Sequence, residues 1–462
     1  MFNLEPGDLM VLGSQLENPY SVENMEKALA GLRKSSRYNQ FEDYRVTTTH
    51  YYLKYTPESE EHLDILSRDK NLILYGYPLD REIIVQGNYY IDTEVPEGRP
   101  MPLYLSVEAD YDFPRDVPYE VLSDLHIPSS DGDYEIVQSN HRGYKNFISS
   151  LVDESLRLTG NWEEEIQPSP NGRGYWRPSG RIQTYDSSNG SVGVQGLIVR
   201  ARRWFTTHSG QTDSNGRFSC NGTFKRPANY SFDFAVYDFK VRNARLLFNT
   251  AGVSIPKKEG SWYLTLTGKK DTYHATIFQA AYHYYYRDIK GLSAPPGNSA
   301  LRTQIKLKAL QQLSQNAGNF SSVRDFLGIG STIRIKLYGA ESMIVYATTI
   351  HELAHAAHWN MGRADYRNIS DIVRESWARG VQWVLTNMVY SNYTPWYRLG
   401  KYTGVVQDMI DGGHDQVTGY TISQLERALD GQRTWTGWRD NIKKKYNNPT
   451  ESKLDALFDH WD

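Results

Sequence analysis

Cysteine is nearly missing from this chain. A single one, Cys220, stands among 462 residues, which excludes an internal disulfide and any metal cage built from several thiolates. Long apolar runs are missing too: no uninterrupted stretch approaches the roughly 18 to 20 residues that cross a bilayer, so no transmembrane segment is expected. Neither sign of charge dominates, because 51 Lys and Arg against 54 Asp and Glu leave a formal net charge of −3. Such a balance offers no broad basic field for a phosphate backbone, and nucleic acid is not an expected partner. The local basic runs at 200–203 and 443–445 read as solvated faces. Internal repeats and low-complexity tracts are absent. The opening residues, Met1-Phe2-Asn3-Leu4-Glu5-Pro6-Gly7-Asp8, carry neither a basic start nor an apolar run, so no signal peptide is expected in the sequence as given.

What is present suits a folded protein. Hydrophobic residues make up 39% and charged residues 23%, too apolar a mixture for a disordered chain. The length exceeds what one core usually serves, which predicts two or three domains. Aromatic residues reach 13%, with 34 tyrosines, an excess that suits β-rich surfaces common in exported proteins.

Periodicity divides the chain into three regions. In residues 1–175, Ser21 can cap a helix whose Met25, Leu29 and Leu32 share one face. Residues 47–56 read as a strand, 58–68 as a short helix and 71–77 as another strand, a βαβ-like unit, and 144–158 as a helix. Pro168, Pro170, Gly172, Gly174 and Pro178 form the clearest linker composition. Beyond it, residues 181–185, 196–204, 217–220 and 231–236 are short strands between turn residues, the pattern of a β-sandwich over 176–252. From 253 to 462 helices dominate: 271–287, then strands at 303–309 and 332–337, then a long helix over 341–361. The expected architecture is therefore multidomain α+β, with an N-terminal α+β region, a central β-sandwich and a mainly helical C-terminal domain holding a small sheet.

The segments Gly180-Arg181-Ile182-Gln183, Gly196-Leu197-Ile198-Val199-Arg200-Ala201 and Thr212-Asp213-Ser214-Asn215-Gly216-Arg217-Phe218 resemble the carboxypeptidase regulatory-like, transthyretin-like domain. That family is a small Greek-key sandwich that accompanies catalytic domains without entering their chemistry.

The long helix carries His351-Glu352-Leu353-Ala354-His355. Residues four apart lie about 40° apart around a helix and one turn along it, so both imidazoles can reach one metal. Zinc held this way lowers the pKa of its water, and Glu352 beside it can take the proton as that water attacks a carbonyl. Chance supplies such a motif in a chain of this composition roughly once in fifty, and the helical, alanine-rich setting makes it rarer still.

A third ligand is needed. The metzincin continuation would require Gly and His where His358 and Met361 stand. A Glu from a second helix is the gluzincin solution, and Glu375, twenty residues beyond His355, follows a good N-cap in Ser370. Residues 270–462 thus resemble the gluzincin zinc metallopeptidases. The resemblance implies a zincin-like fold, one Zn2+ per chain on His351, His355 and Glu375, Glu352 as catalytic base, and a peptide or protein substrate. Many gluzincins place Asp four residues after the glutamate, whereas this chain has Arg379; Asp371 is an alternative support for an imidazole, and Asp365 and Asp371 are rival ligands. His358 reads as a packed histidine. For the group that steadies the substrate carbonyl, His414, Tyr420, Tyr393, Tyr397 and Tyr402 stay open. The order of domains resembles that of uncharacterised bacterial cell-envelope proteins and implies an extracytoplasmic, secreted or cell-surface location. Two other readings are a binding or adhesion protein with a structural or vestigial zinc site, and an effector or toxin-like metalloprotease.

Overall fold

A computed structural model of the protein describes residues 8–128, 142–163, 174–243, 248–321, 332–412 and 416–462. The fold is mixed α+β, with about 34% helix and 25% strand, so neither class is an accessory to the other. The chain forms two compact units, one of Met1–Gln183, Gly193–Phe234 and Arg245–Leu264, the other of Thr184–Val192, Ala235–Ala244 and Thr265–Asp462.

The first unit opens with β1 (Val11–Gln15), α1 (Val22–Leu32), β2 (His50–Tyr55), α2 (Glu60–Arg68), β3 (Arg81–Val85), β4 (Leu103–Glu108), β5 (Tyr119–Leu125) and α3 (Arg142–Leu158). Ser21 caps α1 by accepting from the Asn24 amide at 3.2 Å, and Met25, Ala28 and Leu29 are buried on its inner face. Strand β2 lies between β4 and β5, antiparallel to both. The βαβ-like unit does not form. Residues 71–77 make one isolated bridge, Tyr75 to Tyr104; the Leu74 carbonyl beside it accepts from Arg200 at 3.3 Å, and the Leu79 carbonyl just beyond the stretch accepts from Arg202 at 3.0 Å. Their guanidinium groups lie over the Tyr75 ring at 5.7 and 5.3 Å. The basic run at 200–203 is accordingly no solvated face. Arg202 is only 2% exposed.

Next along the chain come β6 (Ser179–Asp186), β7 (Gly190–Gly193), β8 (Ile198–Arg203), β9 (Thr206–Gln211), β10 (Arg217–Ser219), β11 (Asn229–Asp233), β12 (Phe239–Asn243), β13 (Gly252–Ser254) and β14 (Trp262–Leu266). One sheet has the order β10-β6-β14 with β7 on β6, another β13-β11-β8-β9. Aromatic rings join them: Tyr230 on β11 meets Phe218 on β10 at 6.1 Å and Trp262 on β14 at 5.4 Å.

Strand β12 lies inside the span expected for the sandwich, yet it pairs in parallel with β15 (Ile305–Ala309) in the second unit. That sheet continues through β17 (Thr332–Leu337), parallel to β15, to the antiparallel edge strand β16 (Leu313–Ser321). Around it are α4 (Lys269–Tyr286), α5 (Ser342–Met361), α6 (Arg363–Arg367), α7 (Asp371–Asn387), α8 (Val405–Asp411), α9 (Ile422–Leu429), α10 (Trp435–Lys445) and α11 (Leu454–Trp461). Helix α5 packs against α4, α7, β16 and β17, and it is buried almost all round, as expected of a helix without a polar face. Among the described residues no helix is long and apolar enough to cross a membrane.

Candidate metal centre

The site begins with how α5 is held. Its N-cap, Glu341, makes no side-chain cap bond. Ser187 supplies one instead: its hydroxyl accepts from the Ser342 amide at 2.9 Å, while the Ser342 hydroxyl accepts from the Ser187 amide at 3.1 Å. This satisfies one of the amides that a helix start leaves without a partner. Tyr390, whose hydroxyl donates to Asp186, also packs on Tyr346 of α5 at 5.3 Å. Helix α5 is thus fixed at its entry and along its length.

From that frame His351 and His355 project toward α7, where Glu375 meets them. The Nε2 atoms of the two histidines are 3.2 Å apart, and Glu375 Oε2 lies 3.3 Å from His351 Nε2 and 3.2 Å from His355 Nε2. Among the described residues no other group of three or more His, Cys, Asp or Glu side chains is gathered in this way. Ligands bound tetrahedrally about 2.0–2.1 Å from a zinc ion stand about 3.3 Å from one another. The donor triangle therefore has the edge lengths of three corners of a zinc tetrahedron, and its two nitrogens and one carboxylate oxygen are donors that zinc accepts.

Electrostatics agree with a ligand role. Burial pushes the His351 imidazole down to about 4, against the opposing pull of Glu375, so the ring is neutral at pH 7 with a lone pair to offer. Burial would raise the Glu375 carboxyl, but hydrogen bonds with His351 and His355 outweigh it and hold the group well below the usual carboxylate range. Arg374 Nε adds a contact to the other carboxylate oxygen at 3.5 Å. The outward nitrogens are less well served: Nδ1 of both His351 and His355 is buried without a hydrogen-bond partner among the described residues.

Glu352 is buried beside His351, and its carboxylate lies against Gly318 on β16, where a Cβ would come within 2.4 Å of Oε1. The rival ligands lie elsewhere. Asp365 takes Arg433 at 2.8 Å and Asp371 pairs with Arg374, so Asp371 is spent on an arginine rather than turned to an imidazole. Arg379 donates to Gln382 at 2.7 Å and stands over the Tyr402 ring at 4.9 Å. His358 is buried against Tyr366 at 5.2 Å, and burial drives it down to about 3.

Of the aromatic candidates, Tyr402 is the one whose ring meets one of the three donors, at 6.3 Å from His351. Ser376, next to Glu375, pins it from both sides, donating to the Lys401 carbonyl at 3.1 Å and accepting from the Thr403 amide at 3.2 Å. Tyr397 packs on Trp461 and donates to Gln407, Tyr393 is buried with its hydroxyl at Arg379, and the Tyr420 amide bonds the Met409 carbonyl at 3.2 Å. His414 lies outside the described residues. Three residues around the cluster carry no motif of their own: Tyr366, which flanks His355 at 6.4 Å, Gly318 and Ser187. Only Tyr366 has a cue, as an aromatic in the short connection between the two helices that carry the cluster. Comparison with protein families, with curated proteins and with solved structures finds no match for this chain.

Proposed function

We propose that the protein is a zinc-dependent peptidase of gluzincin type, with His351, His355 and Glu375 holding one Zn2+ and Glu352 acting as general base. The observation that carries this reading is the donor triangle, whose three edges match zinc coordination, with a buried carboxylate next in sequence to one of its corners. Zinc bound there would supply Lewis-acid polarisation of a carbonyl and a water acidic enough to lose its proton near neutral pH.

The chain's own groups divide the remaining work. Glu352 takes one proton from the attacking water as its oxygen joins the carbonyl carbon of the peptide bond. The carbon–nitrogen bond then breaks, and Glu352 passes that proton to the leaving amine. Tyr402 donates a hydrogen bond to the carbonyl oxygen as negative charge gathers on it. Burial and the nearby Glu375 carboxylate raise its phenol above the ordinary value, which keeps the proton in place. In this reading the paired sheets of the first unit are the regulatory-like sandwich and take no part in the chemistry.

Metal analysis and a peptide-cleavage assay with and without chelator test the assignment. Wild type should hold close to one zinc and cleave. Glu352→Gln should keep the zinc and lose about 10³-fold in rate, within the range for general acid–base catalysis. Full cleavage by Glu352→Gln, or unchanged zinc content in His351→Ala, would sink the proposal. Zinc retained by a protein that cleaves nothing would favour the structural-site reading instead.

A further inference from the structure

Beyond the ligands, residues 396–403 present apolar surface on a rigid frame. Trp396 is 66% exposed and Leu399 56% exposed, although isolated exposed apolar side chains are ordinary on protein surfaces. What sets this pair apart is the segment that carries them. Arg398 and Tyr402 exchange backbone hydrogen bonds of 2.7 and 3.1 Å, and the Gly400 amide between them donates to the Trp461 carbonyl at 2.9 Å. Tyr397 packs on Trp461 at 5.8 Å, and Ser376 grips the backbone on each side of Tyr402. The backbone of the segment is thus fixed at every second or third residue.

The place of Trp396 matters. The Trp396 ring lies 6.4 Å from the Tyr402 ring, and Tyr402 lies 6.3 Å from His351. Two ring-to-ring steps thus run from the donor triangle to the surface. An extended peptide advances about 3.3 Å per residue, so a substrate side chain within about four positions of the cleaved bond reaches Trp396.

We infer that Trp396, with the outer part of Tyr402, is a specificity platform that selects peptides bearing a bulky aromatic or aliphatic side chain near the scissile bond. The inference rests on the peptidase reading above. The sequence Trp396-Tyr397-Arg398-Leu399-Gly400-Lys401-Tyr402-Thr403 holds no Asp, Glu, Asn or Gln of the kind that binds sugar hydroxyls beside an aromatic ring, which favours an apolar side chain over a carbohydrate.

Two matched peptide libraries test it, one rich in Phe, Leu and Trp and the other with Ala and Ser in their place. Cleavage is measured with wild type and Trp396→Ala, and binding of the fluorescently labelled libraries with the same pair made in the Glu352→Gln background. The expected result is about a tenfold preference for the bulky library in both measurements, the scale of one aromatic contact, falling toward unity in Trp396→Ala. A preference that Trp396→Ala leaves unchanged, or no preference in either measurement, overturns the platform. Cleavage with such an unchanged preference defeats the platform and spares the peptidase reading. Trp396-dependent binding without chelator-sensitive cleavage does the reverse.

Discussion

Each unit sets a carboxylate beside two side-chain partners, and the two are built differently. In the first, Asp80 accepts from the Gln15 amide at 2.8 Å and the Tyr52 hydroxyl at 3.1 Å, and Tyr52 accepts in turn from the Leu79 amide at 2.9 Å. Every link there has a hydrogen to give and a lone pair to receive it. In the second, Glu375 faces two imidazole nitrogens that also face each other at 3.2 Å. Protons on both Nε2 atoms would point two hydrogens into one space, while a proton on either Nδ1 has no acceptor among the described residues. Hydrogen bonding alone cannot satisfy this cluster, and each buried group left over costs about 1–3 kcal/mol. A cation at the centre resolves the inward side, with lone pairs from all three donors. The contrast separates a carboxylate whose hydrogen bonds tie strands together from one whose cluster could hold a metal.

The largest effect that could break the contrast is on metal binding. Glu375→Gln should weaken zinc binding by at least about a hundredfold, since losing even an outer partner of a ligand costs 10–100-fold. Asp80→Asn should leave zinc affinity as it is and lower stability by about 1–3 kcal/mol. Zinc titration and denaturant unfolding of both variants read this directly, and equal zinc loss in the two would erase the distinction.

How much of this was legible in the sequence follows the same divide. The spacing of His351 and His355 is a local property of one helix, and α5 runs over Ser342–Met361 against an expected 341–361. Glu375 was reachable because Ser370 and the apolar face of α7 mark a second helix. Pairings between distant segments left no such trace. Strand β12 pairs in parallel with β15, which lies beyond α4, and Ser187 caps a helix that starts at Ser342; neither changes the local period. The strand expected at 71–77 is reduced to one bridge in the same non-local way, since its Leu74 carbonyl accepts from Arg200, far along the chain.

A second difference lies in the histidines. His274 and His283 in the second unit are driven down to about 3, by burial first and then by Lys270 and Arg287 respectively, whereas in the first unit His50 and His126 are lowered by burial, opposed by Glu108 and Asp110 at His50 and by the Thr47 backbone at His126. A histidine held neutral in the folded state contributes nothing against unfolding once the unfolded chain takes up protons. Stability is therefore intact above about pH 6.5 and falls as the pH drops toward 3, by about 2 kcal/mol at pH 5 for each deeply buried ring. In metal-free protein, hydrogen exchange should show the second unit losing protection before the first between pH 7 and 5. Protection lost equally in both units, or first in the Asp80 unit, would contradict this.

The smallest effect separates two glycines. At Gly87 in the first unit a Cβ would sit 2.2 Å from the Met10 backbone nitrogen and 2.5 Å from the Leu9 carbonyl carbon; backbone there cannot step aside, so Gly87→Ala should cost stability. At Gly318 the obstructing atoms belong to Glu352, with Oε1 at 2.4 Å and Cγ at 2.8 Å, and a side chain can turn away. Gly318→Ala should therefore unfold close to the wild-type midpoint and keep its zinc, because the donor triangle is untouched. Its cost should appear in turnover, about tenfold, as the displaced base loses its alignment with the attacking water. Zinc content, unfolding midpoint and cleavage rate on one preparation decide the point. A variant that loses zinc or melts early would show that Gly318 shapes the fold rather than the position of Glu352, and a fully active one would remove Glu352 from its assigned role or show that its carboxylate has room to spare.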